Sequence, residues 1–124
     1  MAQHNELGKA GEIAAIEYLK AKAYRIRHVN WRWGPLELDI IAETSDELVF
    51  VEVKTRSGHW DSPEYAVNHA KIRHIISAAD SYIKYFNVDL PARFDIISII
   101  GNGQNYEIEH IEDAFYPPIH TYRR

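Results

Sequence analysis

The sequence predicts an α/β domain in which two helices pack on one mixed β-sheet. Two observations carry that expectation. Residues 36–43 and 48–55 are largely apolar runs of strand length joined by the polar turn TSDE at 44–47. Residues 62–86 carry a broad apolar face at helical spacing before strand-type runs resume at 93–100 and 105–111. A chain of 124 residues suits one compact core. Residues 1–118 are expected to form it, with 119–124 a flexible tail.

Residues 5–22, NELGKAGEIAAIEYLKAK, read as the first helix. Leu7, Ala10, Ile13, Ala14 and Tyr18 supply apolar positions, while Gly8, Gly11, Glu12, Ala15 and Leu19 form a stripe of mostly small residues. Each glycine costs about 1 kcal/mol of helix propensity relative to alanine. Close approach to a sheet would justify that cost and would bring the Glu12 carboxylate over the strands; the plainer reading is a solvated helix glutamate.

YRIRHVN, residues 24–30, has the alternation of an edge strand, and WRWGP at 31–35 is read as the break after it. Trp31, Arg32 and Trp33 suit either a grip on a nucleic-acid backbone or splayed base or, the stronger of the two readings, a cover for one end of the core.

The next two strands should form an antiparallel hairpin. Parity sets Glu37 and Asp39 on one face of 36–43 with Ile41, and Leu36, Leu38 and Ile40 on the other. In 48–55, Val49, Val51, Val53 and Thr55 share a face opposite Leu48, Phe50, Glu52 and Lys54. Folding about residues 45 and 46 brings Asp39 opposite Glu52 and Glu37 opposite Lys54. Ser62, Pro63 and Glu64 read as the entrance of the second helix, whose apolar face runs from Val67 to Phe86. Strands at 93–100 and 105–111 flank a turn at GNG, 101–103, and Phe115 and Tyr116 are expected to close the core. Strand order is left open by periodicity.

The N-terminal MAQHNELGK lacks the apolar segment of a secretory signal, which predicts cytoplasmic residence, and no apolar run approaches the roughly 20 residues of a membrane span. The absence of cysteine excludes disulfides, zinc–thiolate clusters and a cysteine nucleophile. A formal charge of −4 gives no global case for nucleic acid, but its distribution does not oppose one. Residues 1–35 carry six Lys/Arg against three acids, and 54–74 four against two, whereas 36–53 holds six acids and no base. Two basic borders around an acidic centre suit a metal-dependent enzyme acting on a phosphate backbone; simple charge mixing on a surface is the alternative.

Paired strand carboxylates need a partner, because an unpaired buried charge is costly. Magnesium takes an oxygen-rich shell and keeps waters, so Asp39, Glu52 and the Val53 carbonyl are enough protein ligands, with manganese as substitute. Lys54 can orient an attacking water or offset charge on phosphate. Glu12 is a candidate for an outer shell or a further metal, and Glu37 for binding water or holding a nearby base; a surface ion-pair network is the structural alternative. Arg56, Lys71 and Arg73 are candidate supporting or nucleic-acid contacts. An inward-turned Lys71 would instead orient a carboxylate, and Arg73 reads slightly better as a solubilising residue. Arg93 and Asp95 share parity and read as a structural ion pair. Ser98 and His28, His69, His74 and His110 have no triad spacing.

In this order the motifs resemble the YraN-like family, within the restriction-endonuclease-like superfamily. The segments are GKAGEIAAIEYLKAKAYRIRHVNWR at 8–32, ELDIIAE at 37–43, VFVEVKTR at 49–56, PEYAVNHAK at 63–71, RFDIISI at 93–99 and IEDAF at 111–115. The resemblance implies a restriction-endonuclease-like mixed sheet flanked by helices. It places Asp39, Glu52 and Lys54 in the acidic, acidic and lysine catalytic positions, and makes Glu12 similar to the additional glutamate of junction-resolving members. The expected function is magnesium-dependent hydrolysis of a DNA phosphodiester, with branched or distorted DNA as substrate and a homodimer as the assembly. A non-catalytic nucleic-acid-binding or assembly protein and an RNA endonuclease remain the alternatives.

Overall fold

The computed structural model describes residues 2–56, 68–102 and 105–116, with the side chains of residues 2–7 and of Asn102 excepted. The elements run α1 (Ala2–Ala21), β1 (Arg25–Trp33), β2 (Leu36–Glu43), β3 (Leu48–Arg56), α2 (His69–Phe86), β4 (Ala92–Asn102) and β5 (Asn105–Ile111). The five strands form one sheet in the order β1-β2-β3-β4-β5. Neighbours are antiparallel except β3 and β4, which run parallel. The chain between them contains α2, as a parallel pair requires a crossover connection. The fold is therefore an α/β mixed sheet flanked by two helices, consistent with a restriction-endonuclease-like arrangement.

Each sheet face has its own core. On one, Ala14, Ala15 and Leu19 of α1 pack on Ile40, Val49, Val51 and Ile97. On the other, Ile75, Ala78, Ala79 and Tyr82 of α2 pack on Leu38, Ile41, Phe50 and Phe94. Burial on both faces explains why β3 and β4 read as nearly continuous apolar runs. Close approach of α1 occurs at Gly11, where an added Cβ would run into Thr55 Cγ2, but not at Gly8, which has nothing nearby. Of the apolar positions of α1, Ala14 is buried, whereas Ala10 is exposed and Ile13 is 57 % exposed.

Several boundaries differ from expectation. β1 continues through both tryptophans, and only Gly34 and Pro35 form the turn, since Trp33 pairs with Leu36. Gly34 supplies the positive φ, 61°, that a two-residue hairpin needs at its first turn position. α2 is capped by Asn68, whose side chain accepts the Lys71 N–H at 2.9 Å. The serine–proline entrance, Val67, Gly103 and the tail at 119–124 lie outside the described residues. Residues 101 and 102 belong to β4, not to a turn. Phe115 stacks on Phe94 as a core closure, whereas Tyr116 is exposed. No helix among the described residues is long and apolar enough to cross a membrane.

Candidate functional site

β2 and β3 pair from Glu43↔Leu48 to Ile40↔Val51, and that ladder stops one rung before Asp39 and Glu52. Beyond it Asp39 replaces a backbone acceptor with its side chain, Oδ2 taking the Val53 N–H at 2.9 Å. A carboxylate turned toward the neighbouring strand breaks the expected alternation: Leu38 joins the α2 side and Ile40 the α1 side, although parity places them together. The same rung is irregular in β1. Val29 pairs with Ile40 and Trp31 with Leu38, while Asn30, between them, adopts φ 55°. Asparagine tolerates that left-handed conformation better than most residues.

Glu52 projects on the α2 side of β3 and is 5 % exposed. Lys71, in the first turn of α2, places Nζ 3.2 Å from Glu52 Oε2. Lys54, two residues on, also exerts its charge on Glu52 and is half-buried beside Ser98 of β4. Burial, then repulsion from Asp39, pushes the Glu52 carboxyl up to about 7. Burial likewise raises Asp39; the Val53 N–H and Lys71 act against it, and Glu12 and Glu37 add to it. For Lys71, burial favours the neutral amine, but Glu52 and Asp39 together raise its pKa.

Glu12 reaches this rung from α1, accepting a hydrogen bond from Asn30 Nδ2 at 3.0 Å. The sequence reading missed Asn30. Glu37 is drawn to Arg32 of β1, 3.7 Å away, and Lys54 is set against β4, so the expected Glu37–Lys54 pairing across the hairpin is absent from the described ladder. Their opposition needed β2 and β3 to stay paired past Ile40 and Val51, where Asp39 ends the ladder. Arg56 lies 3.5 Å from Glu109 on β5, which ties it to the sheet. Arg73 is exposed on α2. Among the described residues, no three His, Asp or Glu side chains gather tightly enough to hold an ion by themselves.

The donor set fits a hard divalent cation. It presents a buried carboxylate, Glu52, and a half-buried one, Asp39, whose shared environment disfavours their joint ionisation, so added positive charge is favourable there. Magnesium needs few protein oxygens because it keeps waters.

A second polar centre lies on the α1 side of β4. Arg93 and Asp95 form the expected ion pair, at 2.8 and 2.9 Å, with Arg93 also bound to Tyr24 and Glu47. His110 sits between Asp95 and Tyr18, at 2.7 and 3.0 Å. Tyr24, Arg93 and Asp95 are buried, and the network ties the end of α1 to the sheet. His28 is held by Tyr82 Oη at 2.6 Å, and His69 and His74 are exposed.

Residues 11–99 match the model of the uncharacterised protein family UPF0102. The chain is similar to a UPF0102 protein of Bacteroides thetaiotaomicron, 57 % identical over 120 residues that cover 96 % of this chain and 99 % of the relative. A UPF0102 protein of Phocaeicola vulgatus is 55 % identical over the same shares. One from Flavobacterium psychrophilum is 45 % identical across 94 % of this chain and 98 % of its own length.

Proposed function

The chain belongs to the uncharacterised protein family UPF0102, the YraN-like family its motifs resemble, and on that premise we propose that it is a divalent-metal-dependent phosphodiester hydrolase acting on DNA. One observation carries the reading. Asp39 and Glu52 meet where the β2–β3 ladder opens, with Lys54 and Lys71 as the nearby cations. Asp39, Glu52 and the Val53 carbonyl would hold magnesium, or manganese in its place. Bound there, the ion supplies Lewis-acid polarisation of a phosphoryl oxygen.

The chain's own residues do the rest. Lys54 orients the attacking water and offsets negative charge as it grows on the phosphoryl oxygens. Lys71 keeps Glu52 in register through their ion pair. Glu12, held by Asn30, adds negative charge on the α1 side of Asp39. Water oxygen bonds to phosphorus and releases a proton to solvent as the bond to the 3′ oxygen breaks; that oxygen takes up a proton from water, giving a 5′ phosphate and a 3′ hydroxyl.

The Lys71–Glu52 contact favours a second reading, a nucleic-acid-binding protein without chemistry, because it gives the acidic pair a protein cation of its own. RNA as the cleaved polymer is the third. Purified protein with magnesium or manganese, set against linear, nicked, flapped and four-way DNA and against RNA, separates them. Cleavage should vanish in folded Asp39→Ala and Lys54→Ala proteins. Cleavage unchanged in both sinks the site assignment.

A further inference from the structure

From Tyr18 to Leu36 the chain carries Lys20, Lys22, Arg25, Arg27 and Arg32 and no Asp or Glu, in a protein of formal charge −4. That stretch is the end of α1 and the whole of β1, an edge strand that among the described residues pairs on one side, with β2. Arg25 and Arg32 are exposed near its two ends. Their contacts, 3.6 Å to Glu43 and 3.7 Å to Glu37, are loose surface pairs that a stronger anion can displace.

The Arg32 end is aromatic. The rings of Trp31 and Trp33 stack, 5.5 Å apart and 16° from parallel. Trp31 stands edge-on to Tyr82, so the inner ring does the packing expected of this segment. Trp33 remains 42 % exposed, with Tyr85, 66 % exposed, beside it at 5.5 Å. The two readings of the tryptophans thus divide between them.

The tip is close to the acidic centre. Trp33 pairs with Leu36, three residues from Asp39, about 10 Å along a strand rising ~3.3 Å per residue. The tryptophans pack toward α2, the side of the sheet on which Lys71 meets Glu52.

We infer that the β1 edge and its Trp33–Tyr85 tip bind an unpaired nucleic-acid strand next to the phosphate presented to Asp39, Glu52 and Lys54. A base stacks on Trp33 and Tyr85, and phosphates follow Arg32 and Arg25. The inference rests on the proposed reading in that the site's substrate is a nucleic acid. Aromatic faces beside a cationic track hold unpaired strands whatever their sequence, whereas bases inside a duplex offer no free face. An edge-to-edge second copy of the chain would bring two acid-free basic segments together, which charge disfavours.

The test is fluorescence polarisation in a chelator, where binding is read without cleavage, using labelled oligothymidylate, a blunt duplex and the same duplex with an oligothymidylate tail. The wild-type protein should prefer the tailed over the blunt duplex. Trp33→Ala should weaken tail binding roughly 5- to 100-fold and leave the blunt duplex unchanged, while Trp33→Phe keeps most of the preference. Arg32→Ala should lower the slope of log affinity against log salt by about 0.7. Circular dichroism establishes that each variant is folded. No tail preference, or one that survives Trp33→Ala, overturns the inference. So does a Trp33→Ala protein that falls from dimer to monomer by light scattering while binding the tail as before. Tail binding without metal-dependent cleavage leaves the inference standing and removes the hydrolase; cleavage without tail preference does the reverse.

Discussion

Lys71 Nζ stands 3.2 Å from Glu52 Oε2, at a carboxylate that burial and the charge of Asp39 push up to about 7 from an ordinary 4.5. Because folding raises this pKa, the folded chain binds more protons than the unfolded one between those values, and stability falls as pH rises through the window. In a chelator, thermal unfolding of the wild type should lose on the order of 1–3 kcal/mol across it. Glu52→Gln should flatten the loss, Lys71→Met should deepen it, and magnesium added above the window should recover it. A loss equally deep in Glu52→Gln would assign the pH dependence elsewhere.

Asp39 has two separable roles, and two substitutions divide them. Asp39→Asn keeps an oxygen for the Val53 N–H but removes the charge. It should cost under about 1 kcal/mol in urea unfolding while magnesium binding by calorimetry falls at least tenfold. Asp39→Ala also leaves that N–H without its acceptor and should cost about 1–3 kcal/mol. Calorimetry showing wild-type metal affinity in folded Asp39→Asn would exclude this carboxylate as a ligand.

Asn30 joins Glu12 to the same rung, with its backbone at φ 55°. Asn30→Gly accepts that backbone and should hold stability within about 1 kcal/mol, whereas Asn30→Ala should cost about 1–2 kcal/mol more than glycine. Both release Glu12. If Asn30 positions Glu12, then Asn30→Gly and Glu12→Gln should shift manganese affinity by the same factor, and the double variant by no more than either. Additive shifts would show that the two act independently.

How far this site was legible depended on distance along the chain. The bounds of β2 match the reading from sequence because LELDIIAE is apolar enough to be a strand and TSDE polar enough to end it. The approach of Asp39 to Glu52 needed only the hairpin. The flip between Leu38 and Ile40 was not legible, since it arises from one side chain bonding to the next strand's backbone and one asparagine leaving the extended region. Glu12 and Asn30 are 18 residues apart, and no periodicity links them. The tryptophans at the hairpin tip looked like a break because Gly34 and Pro35 follow them at once, while the edge-on contact that packs Trp31 against Tyr82 comes from α2, far along the chain. The Asn68 cap was not read from sequence, because its hydrogen bond to the Lys71 N–H is a local backbone contact that no apolar periodicity announces.

The second polar centre should show its worth in acid. Although burial raises the Asp95 carboxyl, hydrogen bonds from His110 and Arg93 outweigh it and hold it below the ordinary 3.8. A lowered pKa contributes stability that is present above that value and lost as pH falls through the folded one. Asp95→Asn removes one of the carboxylates that hold Arg93, which keeps Glu47 at 2.8 Å, and should cost about 1–3 kcal/mol at neutral pH, read by urea unfolding. Below the folded pKa the gap from wild type should narrow; a constant gap would mean that packing, not charge, is what the substitution removes.

Gly11 offers a test of how closely α1 sits on the sheet, because alanine there would change sign with its neighbour. Alone, Gly11→Ala gains about 1 kcal/mol of helix propensity but drives a Cβ into Thr55 Cγ2, with Ile99 behind it. Overpacking of this kind costs about 1–3 kcal/mol, so the single variant should be neutral to destabilised. Thr55→Ser removes that methyl and keeps the hydroxyl. In the Thr55→Ser background, Gly11→Ala should therefore stabilise by up to about 1 kcal/mol, the two substitutions coupling as residues in contact do. Denaturant midpoints of the four proteins measure the cycle. If Gly11→Ala has the same effect in both backgrounds, the helix does not depend on Gly11 for its approach to β3, and Glu12, its neighbour on the same turn, is not set over the strands by that contact.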